Sequence, residues 1–88
     1  MNTFSLQIRV KRTDGGLERI LSVARRRRFD VIRMTVNASD DDSYFDVDLT
    51  VRGERAGLTL VRQLEKLEDV ADVVISDSSS ELAGARTA

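Results

Sequence analysis

The chain has no cysteine, no proline, no histidine and no tryptophan, and its aromatic residues are three Phe and one Tyr. Without cysteine there is no disulfide framework and no thiolate to act as nucleophile or soft metal ligand. Without histidine the usual general acid–base group at neutral pH is missing, and the usual replacement is a buried carboxylate held close to a partner. No apolar run approaches the ~18–20 residues that span a bilayer. Met1-Asn2-Thr3-Phe4 lacks a basic region followed by a long apolar stretch, so no signal peptide is expected and the simplest location is the cytoplasm. These absences leave little with which to build an enzyme. Binding or regulation is the more economical expectation.

The 88 residues allow one domain with a modest core. A chain of this size buries only about 60–65% of its unfolded surface, which favours an oligomer or a partner. Apolar residues make up 41% and charged residues 33%, the balance of a folded, soluble α+β domain. Net charge is −1, but the signs are segregated: residues 1–33 hold nine Lys/Arg against three Asp/Glu, and residues 34–51 hold five Asp and no base. A basic segment beside an acidic one suits internal pairing or a polarised protein interface better than a phosphate-binding surface.

Phe4, Leu6, Ile8 and Val10 alternate with polar residues, the pattern of a strand covered on one face. Asp14-Gly15-Gly16 is a turn, and Asp14 is placed to cap the helix that follows. Leu17, Ile20, Leu21 and Ala24 form the apolar face of that helix, with Val23 at its flank. Arg25 to Arg28 close it, where positive charge suits the dipole. A second strand is expected from Val31 to Ala38, with Ile32, Met34, Val36 and Ala38 on one face. A polar hairpin, Asn37 to Ser43, leads to the clearest strand, in which Phe45, Val47, Leu49 and Val51 alternate with Tyr44, Asp46, Asp48 and Thr50. Leu60, Val61, Leu64 and Leu67 mark a second helix, and Val70 to Ile75 a last strand with Ala71, Val73 and Ile75 on one side. Residues 1–75 therefore read as one domain. Residues 76–88, rich in Ser, Asp, Ala and Gly, read as a disordered tail. The order β-α-β-β-α-β with right-handed crossovers implies a ferredoxin-like sandwich, an α+β fold of four antiparallel strands with two helices on one face.

The fold serves many functions, so individual residues must decide. Nucleic-acid binding is disfavoured, because the open face of the third strand offers Tyr44 beside Asp46 and Asp48, and the glycine-aromatic signature is missing. Asp40-Asp41-Asp42 lacks the spaced ligands and glycine of a calcium loop, so no metal is expected. Arg12 with Gly15-Gly16 is a thin match to a phosphate-cradling catalytic loop. Arg25-Arg26-Arg27-Arg28 reads as a solvated helix end or as a docking surface for an acidic protein, and last as a nucleic-acid site. Gly15-Gly16 reads either as a loose turn that lets helix and strand pack or as a ligand-binding turn.

The segment Asp14-Gly15-Gly16-Leu17-Glu18-Arg19-Ile20-Leu21, followed by Arg26-Arg27-Arg28-Phe29-Asp30-Val31, resembles the first half of an ACT domain. With Leu64-x-Lys66-Leu67-x-Asp69-Val70-Ala71-x-Val73 the resemblance extends from about Phe4 to Ile75. Within the ACT families it is most similar to the short small subunits of acetolactate synthase, isozyme II type. That resemblance implies a non-catalytic regulatory subunit that binds and activates a catalytic large subunit in branched-chain amino acid biosynthesis. Thiamine diphosphate, Mg and FAD would belong to the large subunit, with no cofactor in this chain. It also implies a homodimer through edge strands, most simply the second. Its effector pocket, for a branched-chain amino acid, would fall on Arg12, Asp14, Gly15, Gly16, Asp30 and Val31. Several positions depart from the family pattern. Arg12 and Asp30 stand where Asn or Asp and Asn are usual, Gly16 replaces an apolar residue, and Arg28 replaces a glycine. Asp30 accepts hydrogen bonds but cannot donate them as an asparagine amide does. Weak or absent valine feedback is therefore expected, the alternative being a stand-alone ACT sensor of a free amino acid. Partner contacts are expected at Arg25, Arg26, Arg27, Arg28, Arg33 and Tyr44.

Overall fold

A computed structural model describes residues 2–77. The elements are β1 (Asn2–Lys11), α1 (Gly16–Arg26), β2 (Asp30–Ala38), β3 (Tyr44–Gly53), α2 (Gly57–Glu65) and β4 (Val70–Asp77). The strands form one antiparallel sheet in the order β2-β3-β1-β4. The two most strictly alternating segments, β1 and β3, are the central pair, with Leu6 opposite Leu49 and Ile8 opposite Val47. Directly opposed residues share a face, so these buried side chains meet the helices while Gln7, Arg9, Asp46 and Asp48 point to the other side. The core is completed by Ile20, Val23 and Ala24 from α1, by Leu60, Val61 and Leu64 from α2, and by Phe29.

Both edge strands depart from simple alternation near their start. On β2, Val31 lies opposite Val51 and Arg33 opposite Thr50, which leaves Ile32 as the extra residue of a bulge. Val31 thereby joins Met34 against the core, and Ile32, expected on the buried face, is 47% exposed. On β4 the bulge falls at Ala71: Val70 opposes Val10 and Asp72 opposes Arg9. Val70, not Ala71, packs on the core beside Val73 and Ile75. β4 continues through Ser76 and Asp77; the remainder of the expected tail lies outside the described residues.

The helix ends also differ from expectation. Gly15 is the N-cap of α1 at φ 80°, and Asp14 contributes no side-chain cap. The buried stripe is rotated toward Val23, and Leu21 is only half-buried. The arginine run outlasts the helix. Arg27 is its C-cap, and Arg28 takes the left-handed conformation at φ 68°. The Phe29 N–H donates to Ala24 O at 2.9 Å and the Arg28 N–H to Arg25 O at 3.0 Å, the paired bonds of a Schellman stop. That stop drives Phe29 into the core, where its ring meets Phe4 edge-on at 6.5 Å.

Candidate functional site

The turn between β1 and α1 is tied down on both sides. The Lys11 N–H donates to Asp69 O at 2.8 Å, and the Arg12 N–H to Ser43 O at 3.2 Å. The Asp69 carboxylate, in the turn before β4, then gathers two side chains: Thr13 Oγ1 donates to Oδ2 at 2.9 Å and Arg19 Nη1 to the same oxygen at 2.5 Å. Arg19 also reaches back to the Asp14 carbonyl at 3.4 Å. On the other side, the Arg12 guanidinium lies 5.0 Å over the Phe45 ring. It donates to Asp42 O at 3.2 Å and stands 3.4 Å from the Asp42 carboxylate. The Gly16 N–H is donated to Thr13 O at 3.2 Å. Much of the turn's polar capacity is thus met within the fold.

The six residues expected to line an effector pocket fall at two ends of the molecule. Arg12, Asp14, Gly15 and Gly16 cluster at the end where Lys11 opposes Tyr44. Asp30 and Val31 begin β2 at the other end, where Asp30 opposes Arg52. Tyr44 and Arg52 are eight residues apart on β3, a separation of about 26 Å at ~3.3 Å per residue. One protomer does not bring both groups together. Asp30 is exposed, whereas Val31 is half-buried against the core.

The expected partner contacts also divide between surfaces. Arg25 and Arg26 project from the last turn of α1, and Arg27 Nη2 donates to Gln63 Oε1 of α2 at 2.9 Å. Arg33 and Tyr44 are on the opposite, helix-free face of the sheet. There Arg9 sits 5.4 Å over the Tyr44 ring and donates to Asp46 through Nε and Nη2 at 2.9 and 3.3 Å. Hydrogen bonding from Arg9 holds the Asp46 carboxyl below the usual carboxylate range. At the hairpin, Asp41 is lowered chiefly by the Ser43 N–H and next by the Ser39 hydroxyl. Asp41 thus serves the loop itself while Asp42 faces Arg12, and among the described residues no three His, Cys, Asp or Glu side chains converge on a metal-sized point.

Thr13, Asp42, Phe45 and Asp69 were not anticipated as part of this site, nor was Arg19. The signal for two of them lay in the segments already compared with ACT domains, since Arg19 falls in the first and Asp69 in the last. What linear reading misses is that Thr13 and Arg19 meet on one oxygen of Asp69, 56 and 50 residues further along the chain.

The sheet order, the placement of the helices and the glycine turn that starts α1 define a ferredoxin-like α+β domain. A family model described as ACT domain matches residues 12–73, and the chain belongs to the ACT domain family. The small subunit of acetolactate synthase isozyme 2 from Escherichia coli K12 is 42% identical over 64 residues, covering 73% of this chain and 74% of that protein. The corresponding Shigella flexneri subunit matches equally. Two solved structures show the same fold. The ACT domain of Chlorobium tepidum GTP pyrophosphokinase has TM-score 0.71 and 19% identity, covering 85% of this chain and 97% of that one. The Thermotoga maritima acetolactate synthase small subunit has TM-score 0.72 and 18% identity, covering 85% of this chain and 47% of that one. No helix among the described residues is long and apolar enough to cross a membrane.

Proposed function

We infer that this chain is a non-catalytic regulatory subunit that binds the catalytic large subunit of acetolactate synthase and raises its activity, with weak or no feedback by valine. The observation that carries the first part is the 42% identity to an acetolactate synthase small subunit across nearly three quarters of both chains. The second part is supported by the turn itself. Arg12 is spent on Asp42 and Phe45, the Gly16 N–H on Thr13, and Asp30 offers a carboxylate where a donor would be needed for an amino-acid carboxylate. A free-standing amino-acid sensor would need those groups available.

Dimerisation along β2 belongs to the same reading. β2 is an edge strand, and its Ile32 and Val36 are exposed at 47% and 36%. Pairing two such edges antiparallel would cover them and extend the sheet. It would also bring the turn end of one copy toward the Asp30 end of the other.

The test is reconstitution with the large subunit of the same organism. Acetolactate formation should rise on adding the chain and stay nearly constant as valine is titrated. No complex and no stimulation would remove the main conclusion, and tight valine binding by calorimetry would remove the second part.

A further inference from the structure

α1 and α2 meet through the Arg27–Gln63 bond, yet two hollows of about 570 and 450 Å3 adjoin on the helix side of the molecule. They share Val23, Arg26 and Leu67, so they form one groove with a partly apolar floor. Its walls carry Arg19, Arg25, Arg26, Arg27 and Lys66, and no Asp or Glu lines either hollow. Arg19 is neutralised by Asp69, and Arg27 bonds only the neutral amide of Gln63. Arg25, Arg26 and Lys66 make no ion pair among the described residues. The dipole of α1 accounts for Arg25 and Arg26 at its last turn. Lys66 is the C-cap of α2, so the C-terminal ends of two helices bring their positive charges to one groove. Four positive charges without an ion pair around a partly apolar cleft favour an anionic surface as the partner.

Resting on the reading above, we propose that this groove docks the catalytic subunit by taking an acidic segment of it. Carboxylates of that segment pair with Arg26, Arg27 and Lys66, and one apolar side chain enters between Val23 and Leu67. The helix-free face of the sheet does not suit the same partner, because its central hollow is lined by Asp46, Asp48 and Asp72, and its Arg9 is already paired. A second copy seating its Asp40–Asp42 hairpin in the groove would make a head-to-tail contact that propagates without closing. RNA fits poorly, since no aromatic side chain lines either hollow for bases to stack on.

The experiment measures affinity of the full chain for the large subunit at low and physiological salt, with thermal melts confirming that each variant is folded. Arg26→Glu with Lys66→Glu should weaken binding at least about tenfold. Should that pair unfold, Arg26→Gln with Lys66→Gln should still weaken binding and flatten its salt dependence. Asp48→Asn with Asp72→Asn, on the helix-free face, should change affinity less than about twofold. Unchanged binding by the folded groove variants overturns the docking site while leaving the subunit assignment intact, as does loss of binding only in the sheet-face variant. Failure of the wild-type chain to bind the large subunit overturns both. Tighter binding to single-stranded RNA than to the large subunit at the same salt would also overturn the proposal.

Discussion

The two halves of the molecule repeat one plan. β1-α1-β2 and β3-α2-β4 each run from a central strand through a glycine-started helix to a bulged edge strand. Their helix starts are nevertheless built for different purposes. A Cβ on Gly57 would lie 2.5 Å from Ile75 Cδ1 and 2.9 Å from Phe4 Cδ1, so α2 owes its close seat on the sheet to a missing side chain. A Cβ on Gly16 would meet nothing nearer than Thr13 Oγ1 at 3.2 Å, and the left-handed Gly15 ahead of it faces outward to Arg19 at 3.7 Å. The second half uses its glycine for close packing and the first uses its pair for a turn. Exposed arginines, the latched turn and the docking groove's basic wall accordingly gather in the first half.

Swapping alanine into the two helix starts should separate them most strongly. Gly57→Ala overpacks the site and is expected to cost about 2 kcal/mol, because Ile75 can yield at its tip but the Phe4 ring cannot yield freely. Gly16→Ala should stay within about 0.5 kcal/mol, its mild crowding offset by better helix propensity. Urea denaturation reads both. Equal costs would erase the distinction between a packing glycine and a turn glycine.

A second contrast lies within the first half, where two left-handed positions bracket α1. Gly15 has the residue that the conformation favours, and Arg28 does not. Gly15→Ala should therefore destabilise by about 1–2 kcal/mol. Arg28→Gly should stabilise by about 0.5 kcal/mol, relief of backbone strain being partly offset by the extra freedom of glycine in the unfolded chain. A destabilised Arg28→Gly variant would mean that the arginine side chain contributes more to the fold than its exposure suggests.

The element order was legible because β1 and β3 alternate strictly and the helical stripes keep their period. The edge strands were less so. Val31, Ile32 and Val70, Ala71 are adjacent apolar pairs, and alternation alone does not say which member faces the helices once a bulge resets the register. The Asp14-Gly15-Gly16 turn announced itself through its glycines, but its latch did not. Asp69 meets Thr13 and Arg19 only because the β1–β4 pairing folds the chain end back onto its beginning. The groove had the same difficulty: Arg26 was visible as part of a charge run, whereas Lys66 joins it only through the packing of α2.

The smallest effect tests the seam where the halves meet. Arg9 of β1 and Asp46 of β3 pair across it, with both side chains about half exposed. The Asp46 carboxyl is lowered first by that hydrogen bond, whereas Asp41 is lowered by Ser43 and Ser39 of its own hairpin. Carboxyl-detected NMR should place both below the ordinary aspartate value of about 3.9. Arg9→Gln should return Asp46 toward that value and leave Asp41 nearly where it was. A folded-state pKa below the unfolded one means that each carboxylate favours folding above the unfolded value and loses that contribution as pH falls through the folded value. Acid should thus loosen the seam only below about pH 4, and by little, because exposed pairs are well screened. If Asp46 did not move in Arg9→Gln, the lowering would have to come from another group, and the side-chain ties between the halves would be those at Asp69 and at Arg27–Gln63.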